Sequence, residues 1–175
     1  MSTMESNKIA SNLFQEDIRN KDFKKNFEKI FEIKIEDFLS DYEYDEIDEF
    51  PIEIENRGIM IGFIAQTIKV PPQIAYIDLD VYNHPPNTGY LAKKIPVPSA
   101  IKNPADIQEY LTPFNHLRIY YSLYNAEQID RIIFQYEDLR YELSLTGDQV
   151  ISRIRVCLPE NESTINMSTY YLFDN

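Results

Sequence analysis

The spacing of apolar and polar positions changes character along this chain, and each change predicts a different kind of element. In residues 3–19, Ile9, Leu13 and Ile18 recur at helical intervals with Phe14 beside them, and Thr3 or Ser6 can cap the start. That spacing predicts an amphipathic helix. A second helix is predicted from 22 to at least 32, capped by Asp22. There Phe23, Phe27, Ile30 and Phe31 fall at i, i+4, i+7 and i+8, one stripe of a 3.6-residue repeat. Phe38, Leu39 and Tyr42 prolong the stripe, while the alternation of Ile33 and Ile35 predicts a switch to extended chain before 36.

From residue 50 the period is two. FPIEIENRGIMIGFI reads as a β-hairpin: Pro51 bars a helix interior, Ile52 and Ile54 alternate with glutamates, and Asn56-Arg57-Gly58 is turn chemistry. The second strand runs on through IMIGFIAQTIKV until Pro71-Pro72 closes it. QIAYIDLDVYN then sorts Ala75, Ile77, Leu79 and Val81 to one face and Tyr76, Asp78, Asp80 and Tyr82 to the other. Eight of the ten prolines lie in 69–113, so NHPPNTGY and IPVPS are loop or edge, with one short helix expected at 104–111.

The last third predicts a meander of four strands, LRIYYSLY, IDRIIFQYE, LRYELSL and VISRIRVCL. Gly147-Asp148 offers a two-residue hairpin turn, which sets Glu142 opposite Arg153, Arg140 opposite Arg155 and Tyr141 opposite Ile154. A helix competes over 127–141, where Ile129, Ile132, Ile133, Tyr136 and Leu139 also keep helical spacing behind an Asn125 cap. The β-branched and aromatic content favours strands. Residues 160–175 are polar and end in TYYLFDN, an edge strand or a docked tail.

These elements add up to a single α+β domain over 1–175, with N-terminal helices packed on a mostly antiparallel β-sheet and a C-terminal meander. Its parts are a helical region at 1–42, a hairpin and strand at 50–82, a proline-rich loop region at 83–113, a β-meander at 117–158 and a polar tail or edge strand at 159–175.

Composition narrows the function classes. With 43% hydrophobic residues, the chain can bury an ordinary core. Its net charge of −12 argues against direct contact with nucleic acid or an anionic membrane and favours a basic protein partner. Four glycines leave no phosphate cradle, and no cofactor is implied. A lone Cys157, a polar opening and the lack of a long apolar run predict a cytoplasmic protein. The two sequons, at Asn161 and Asn166, are then chance matches.

Charge is also unevenly placed. SDYEYDEIDEF, residues 40–50, carries Asp41, Glu43, Asp45, Glu46, Asp48 and Glu49, and residues 36–55 hold ten carboxylates in all. As a calcium loop the stretch fails, because Glu46 stands where the sharp turn needs glycine. As a partner surface it offers Asp41, Glu43, Asp45, Asp48 and Glu49 as a row resembling phosphates, with Tyr42, Tyr44 and Phe50 as aromatic anchors. The plainer reading is hydration, since charge runs are usually solvated.

Two further constellations stand out. Asp78 and Asp80 share a strand face and His84 follows, a weak candidate set for a metal or for acid–base work, against the plainer reading of solvated carboxylates. Arg131, Arg140, Arg153 and Arg155, with Arg118 near them, gather on the meander as an anion site or as one side of an internal ion-pair cluster; the acid-rich 36–55 segment is a possible internal counterpart. No residue is singled out as catalytic, because no nucleophile, zinc or P-loop signature frames Cys157 or the two histidines.

The sequence therefore predicts a non-catalytic acidic binding protein that neutralises a basic partner, in the manner of a toxin-immunity factor or a nucleic-acid-mimicking inhibitor. The competing expectations are a small metal-dependent or acid–base enzyme centred on Asp78, Asp80 and His84, and a ligand-binding or structural subunit using a tyrosine-rich sheet face.

Overall fold

The structure, a computed structural model, describes residues 8–36, 48–65, 72–92, 95 and 115–159. The short helix expected at 104–111, the extension of the apolar stripe to Phe38, Leu39 and Tyr42, and the tail beyond 159 lie outside these residues.

The phenylalanine stripe forms helix α2, Lys21–Phe31, and buries Phe23, Phe27, Ile30 and Phe31. Its cap is Asn20 rather than Asp22: the Asn20 carboxamide oxygen accepts the backbone N–H of Asp22 at 2.9 Å. Asp22 sits instead in the first turn, where its charge complements the helix dipole. At the other end Glu32 turns left-handed (φ 57°) and donates its N–H to the Glu28 carbonyl. The chain then leaves through bends rather than the expected extended segment, with Ile35 buried in the core.

The first helix is shorter than its spacing predicts. Within the described residues, α1 is a single turn, Asn12–Gln15. Asp17 explains the stop, because its carboxylate accepts the Arg19 backbone N–H at 2.8 Å and also binds the Arg19 guanidinium. A short acidic side chain that bonds the backbone two residues on competes with helix continuation. Ile9, Leu13, Phe14 and Ile18 are buried all the same, so the apolar pattern marked the core correctly and the element wrongly.

Seven strands form one antiparallel sheet: β1 Asp48–Ile54, β2 Ile59–Ala65, β3 Gln73–Asp80, β4 Asn115–Tyr121, β5 Ile129–Tyr136, β6 Leu139–Leu145 and β7 Ile151–Cys157. Among the described residues their order is β1-β2-β3-β7-β6-β5-β4, an open sheet with no barrel closure. Two meanders, β1–β3 and β4–β7, therefore meet along the β3–β7 seam. The β1–β2 hairpin forms as its pattern predicts, closing through Glu55–Arg57 and a left-handed Gly58 (φ 61°). Residues 129–136 are strand, as propensity favours over helical spacing.

The helices cover one face. Phe23, Phe27 and Phe31 join Ile52, Ile61, Phe63, Ile77, Leu79, Phe134 and Ile154 in one apolar core. Cross-strand aromatic pairs reinforce it, with Phe50 stacked on Phe63 and Phe134 on Tyr141, ring centroids 5.3 and 5.4 Å apart.

Two bulges change the expected faces and register. Between β2 and β3 the pairing passes from Gly62↔Tyr76 to Phe63↔Ile74, leaving Ala75 as the extra residue. Ile74, not Ala75, therefore fills the core position below Ile77, and Ala75 packs with Tyr76 and Cys157. In the β6–β7 hairpin the loop is three residues, Gly147 to Gln149, with Gln149 left-handed (φ 60°) and Thr146 bonded to Val150. Ser152 then bulges out, donating through its hydroxyl to the Ser144 carbonyl. The register becomes Glu142 opposite Arg155 and Ser144 opposite Arg153, two residues from the pairing that a two-residue turn implies. An even shift keeps Arg153 and Arg155 on their predicted face, while Ile151, on the other side of the bulge, turns into the core opposite Leu145.

Candidate functional site

The face of the sheet turned away from the core helices holds three rows of side chains. Across the middle row run Arg118, Ile133, Glu142, Arg155, Asp78, Met60 and Glu53, each opposite the next. On one side of it, Tyr120, Arg131, Ser144, Arg153 and Asp80 form a second row. On the other side, Gln135, Arg140, Cys157 and Tyr76 form a third, which Gly62 continues as bare backbone. This face is ionic, and much of it is nonetheless out of water: Asp78, Arg140 and Glu142 are 4%, 5% and 7% exposed.

Burial of that kind demands partners, and the sheet supplies them. Asp78 takes a two-pronged contact from Arg155, with Nε and Nη2 each 2.7 Å from a carboxylate oxygen. The Arg153 guanidinium stands 3.7 Å from the same carboxylate. Arg155 also lies flat over the Tyr76 ring, 4.0 Å from its centroid. Burial alone lowers the proton affinity of Arg155, but the hydrogen bonds and charge of Asp78 outweigh it and raise it above the ordinary arginine value. Glu142 binds Arg131 at 2.8 Å and has Arg140 at 3.8 Å. Arg131 in turn covers the Tyr120 ring.

Gly62 belongs to this arrangement. A Cβ there would run into the Tyr76 ring, which uses the glycine as a floor and so can carry Arg155 above it. Burial pushes the neighbouring Cys157 thiol up to about 11, which leaves it a packed thiol rather than a nucleophile.

Asp78, Asp80 and His84 are near one another, but not as an open site. Asp78 is committed to the arginines. Asp80 organises the turn after β3, accepting the backbone N–H groups of Tyr82 and Asn83 and the Asn83 carboxamide at 2.8–3.0 Å. Burial raises its carboxyl, but those Asn83 bonds and the neighbouring His84 outweigh that and hold it below the usual range. His84 Nδ1 is 3.5 Å from Asp80. Asn87 completes the lock by donating to the carbonyls of Arg57 and Asp80, each at 2.8 Å. Among the described residues no group of His, Cys, Asp and Glu side chains could hold a metal ion.

The acidic run divides differently. Asp41, Tyr42, Glu43, Tyr44 and Asp45 lie outside the described residues, and Asp48 and Glu49 stand in edge strand β1. Phe50 is a correction: at 2% exposure and stacked on Phe63 it belongs to the core, because strand alternation turns it inward beside Ile52 and Ile54. At the helical end of the acid-rich segment, Glu36 pairs with Lys24 at 2.8 Å.

A half-open cleft of about 290 Å³ opens where the polar face meets edge strand β4. Arg118 and Arg140 line it from strands on either side of β5, with Ile133 and Gln135 between them, His116 at one side and Pro159 at another. A bulge forms its rim: the pairing skips from Asn115↔Gln135 to Arg118↔Ile133, and His116 takes a left-handed backbone (φ 54°). Sequence spacing gave no sign of this cleft, because its residues come from four separate segments.

Among the described residues, no helix is long and apolar enough to cross a membrane. No family model and no curated protein matches the chain. Among solved structures, the chain is similar to the crystal structure of a DUF4309 family protein (YjgB) from Bacillus subtilis subsp. subtilis str. 168. Identity is 15% over 67% of this chain and 68% of that one, and the TM-score is 0.31. At that level of superposition the likeness does not bear on function.

Proposed function

We propose that the protein is a non-catalytic, cytoplasmic binding protein whose acidic run holds a basic protein partner, in the manner of an immunity factor or a nucleic-acid-mimicking inhibitor. One observation supports this most. The buried arginines of the polar face have carboxylate partners from their own sheet, Asp78 and Glu142. Those pairs are made within the sheet, and the chain as a whole carries a net charge of −12. An acidic field of that kind steers a basic partner at long range and then holds it through desolvated contacts. With Phe50 in the core, Tyr42 and Tyr44 are the aromatic anchors of this reading.

The enzyme alternative loses its centre, since Asp78 is bound to two arginines and Asp80 to its own turn.

The test is affinity capture from lysate of the source cell with wild type and with a variant carrying Glu43→Gln, Asp45→Asn, Asp48→Asn and Glu49→Gln. Expected is a basic protein retained by wild type, released by raised salt, and lost from a variant whose thermal unfolding is unchanged. Equal capture by the two proteins, or none by either, would sink the reading.

A further inference from the structure

The tip of the β4–β5 hairpin holds the most exposed apolar side chains of the described residues. Leu123 and Tyr124 stand side by side there, 63% and 99% exposed. Among those residues the one other large apolar group left in water is Tyr82, just past the end of β3. A lone apolar side chain on a surface is ordinary. A leucine and a tyrosine together at a hairpin tip, the ring wetted all round, make an unused contact surface.

The loop that carries them is held in shape. Ser122 donates its backbone N–H to the Gln128 carbonyl at 2.8 Å, and Gln128 donates to the Asn125 carbonyl at 3.0 Å. The Ser122 hydroxyl oxygen accepts the Tyr124 N–H at 3.3 Å, and the Asn125 carboxamide oxygen accepts that of Glu127 at 3.0 Å. The β6–β7 loop braces it from the side. Gln149, in left-handed backbone (φ 60°), accepts the Ile129 N–H through its side-chain oxygen and donates to the Ile129 carbonyl, both at 3.0 Å. The Gln128 carboxamide lies against Gly147, 3.8 Å from where a Cβ would stand. A tyrosine has few torsions to fix, and on a braced loop little ordering entropy is left to lose on contact.

Charge decides what kind of partner fits. Residues 121–130 and 146–150 carry Glu127, Asp130 and Asp148 and no base. Glu127 and Asp148 are exposed and Asp130 is half-buried, and none of the three forms an ion pair among the described residues. The bases next to these loops, Arg131 and Arg153, are drawn to Glu142 and Asp78 on the polar face.

We propose that this tip docks a basic segment of a partner protein, one that alternates lysine or arginine with aliphatic side chains. Tyr124 and Leu123 supply the apolar anchor, and Glu127 and Asp148 flank it to meet the cations. The same acids disfavour an anionic membrane as the occupant. The surface is separate from the acidic run around 41–49, so it extends the basic-partner reading without depending on it.

The experiment titrates the full chain, labelled with nitrogen-15, with a blocked heptapeptide of alternating lysine and leucine, with its glutamate counterpart, and with phosphatidylcholine vesicles. Expected are amide shifts at 122–128 and 147–149 with the lysine peptide, reversed by raised salt, and none there with the glutamate peptide or the vesicles. Tyr124→Ser changes a side chain that supports no packing; it is expected to keep the fold and weaken binding about tenfold. Glu127→Gln with Asp148→Asn is expected to weaken it about threefold. The variant with Glu43→Gln, Asp45→Asn, Asp48→Asn and Glu49→Gln is expected to keep the shifts at the tip, which separates this surface from the acidic run. The proposal is overturned if the lysine peptide leaves the tip amides in place, if the glutamate peptide moves them as much, if Tyr124→Ser binds as tightly as wild type, or if the acidic-run variant loses the response. A response to vesicles alone overturns it in favour of lipid.

Discussion

The two faces of this one sheet solve burial by different means. Under the helices, Phe27, Phe63, Ile77 and Ile154 are wholly shielded and meet apolar neighbours. On the reverse, Asp78, Arg140 and Glu142 are nearly as deep, but each is charged. Removing water from the first face is favourable for every atom buried. On the second it is tolerable only because the guanidinium and carboxylate geometry is good, with Arg155 and Asp78 joined at 2.7 Å through two bonds. The core face therefore supplies stability, while the ionic face supplies register: Asp78 meets Arg155 in only one alignment of β3 on β7, and that seam joins the two meanders.

That contrast can be broken from either side. Phe27→Ala is expected to have the largest effect, about 3–5 kcal/mol lost in denaturant unfolding, since a fully buried ring leaves a cavity. Next comes the seam. Asp78→Leu alone leaves the Arg155 guanidinium buried beside an apolar group and is expected to cost about 3 kcal/mol. Adding Arg155→Met, whose side chain can still lie on Tyr76, is expected to return stability to within about 1 kcal/mol of wild type, because the unpaired charge is gone. If the double variant stayed as unstable as the single one, the ion pair would be adding stability rather than alignment.

Gly62→Ala sharpens the same comparison. It is expected to cost about 1–3 kcal/mol by driving the Tyr76 ring off the sheet. The loss should shrink when Tyr76 is also made Ala, as measured by a double-mutant cycle.

The smallest effect concerns pH. Asp80 has its carboxyl held below the usual range in the folded protein by Asn83 and His84, so the unfolded chain binds a proton more readily. Its contribution is present above the ordinary aspartate value near about 4 and is lost as pH falls through the lower folded value. Amide exchange at 82–84 is expected to quicken over that acidic window, and Asp80→Asn to abolish the dependence. Unchanged pH sensitivity in the variant would assign the effect to another carboxylate.

Some of this was legible residue by residue. The i, i+4, i+7, i+8 phenylalanines require a helix with one buried stripe, and α2 is that helix. Alternation at 50–64 and along the last third requires strands. The first helix is shorter than its spacing predicts because the pattern of Ile9, Leu13 and Ile18 reports burial and not the side-chain bond by which Asp17 stops the turn. Phe50 closes an acidic run, which points to a surface anchor, but period-two counting from Ile52 turns it inward.

Alternation alone also put Arg140, Arg153, Arg155 and Glu142 on one face, because side chains in a strand can point only to one side or the other. It did not say which carboxylate would answer them. Local spacing determined the elements, the apolar face and the pooling of charge, since those depend on neighbours a few positions apart. The partnership of Asp78 with Arg155, 77 residues later, and the cleft drawn from four segments depended on strand order and on the bulges within the sheet. Those are set by how two meanders dock, a long-range choice made by the summed packing of the whole sheet and written in no single stretch of sequence.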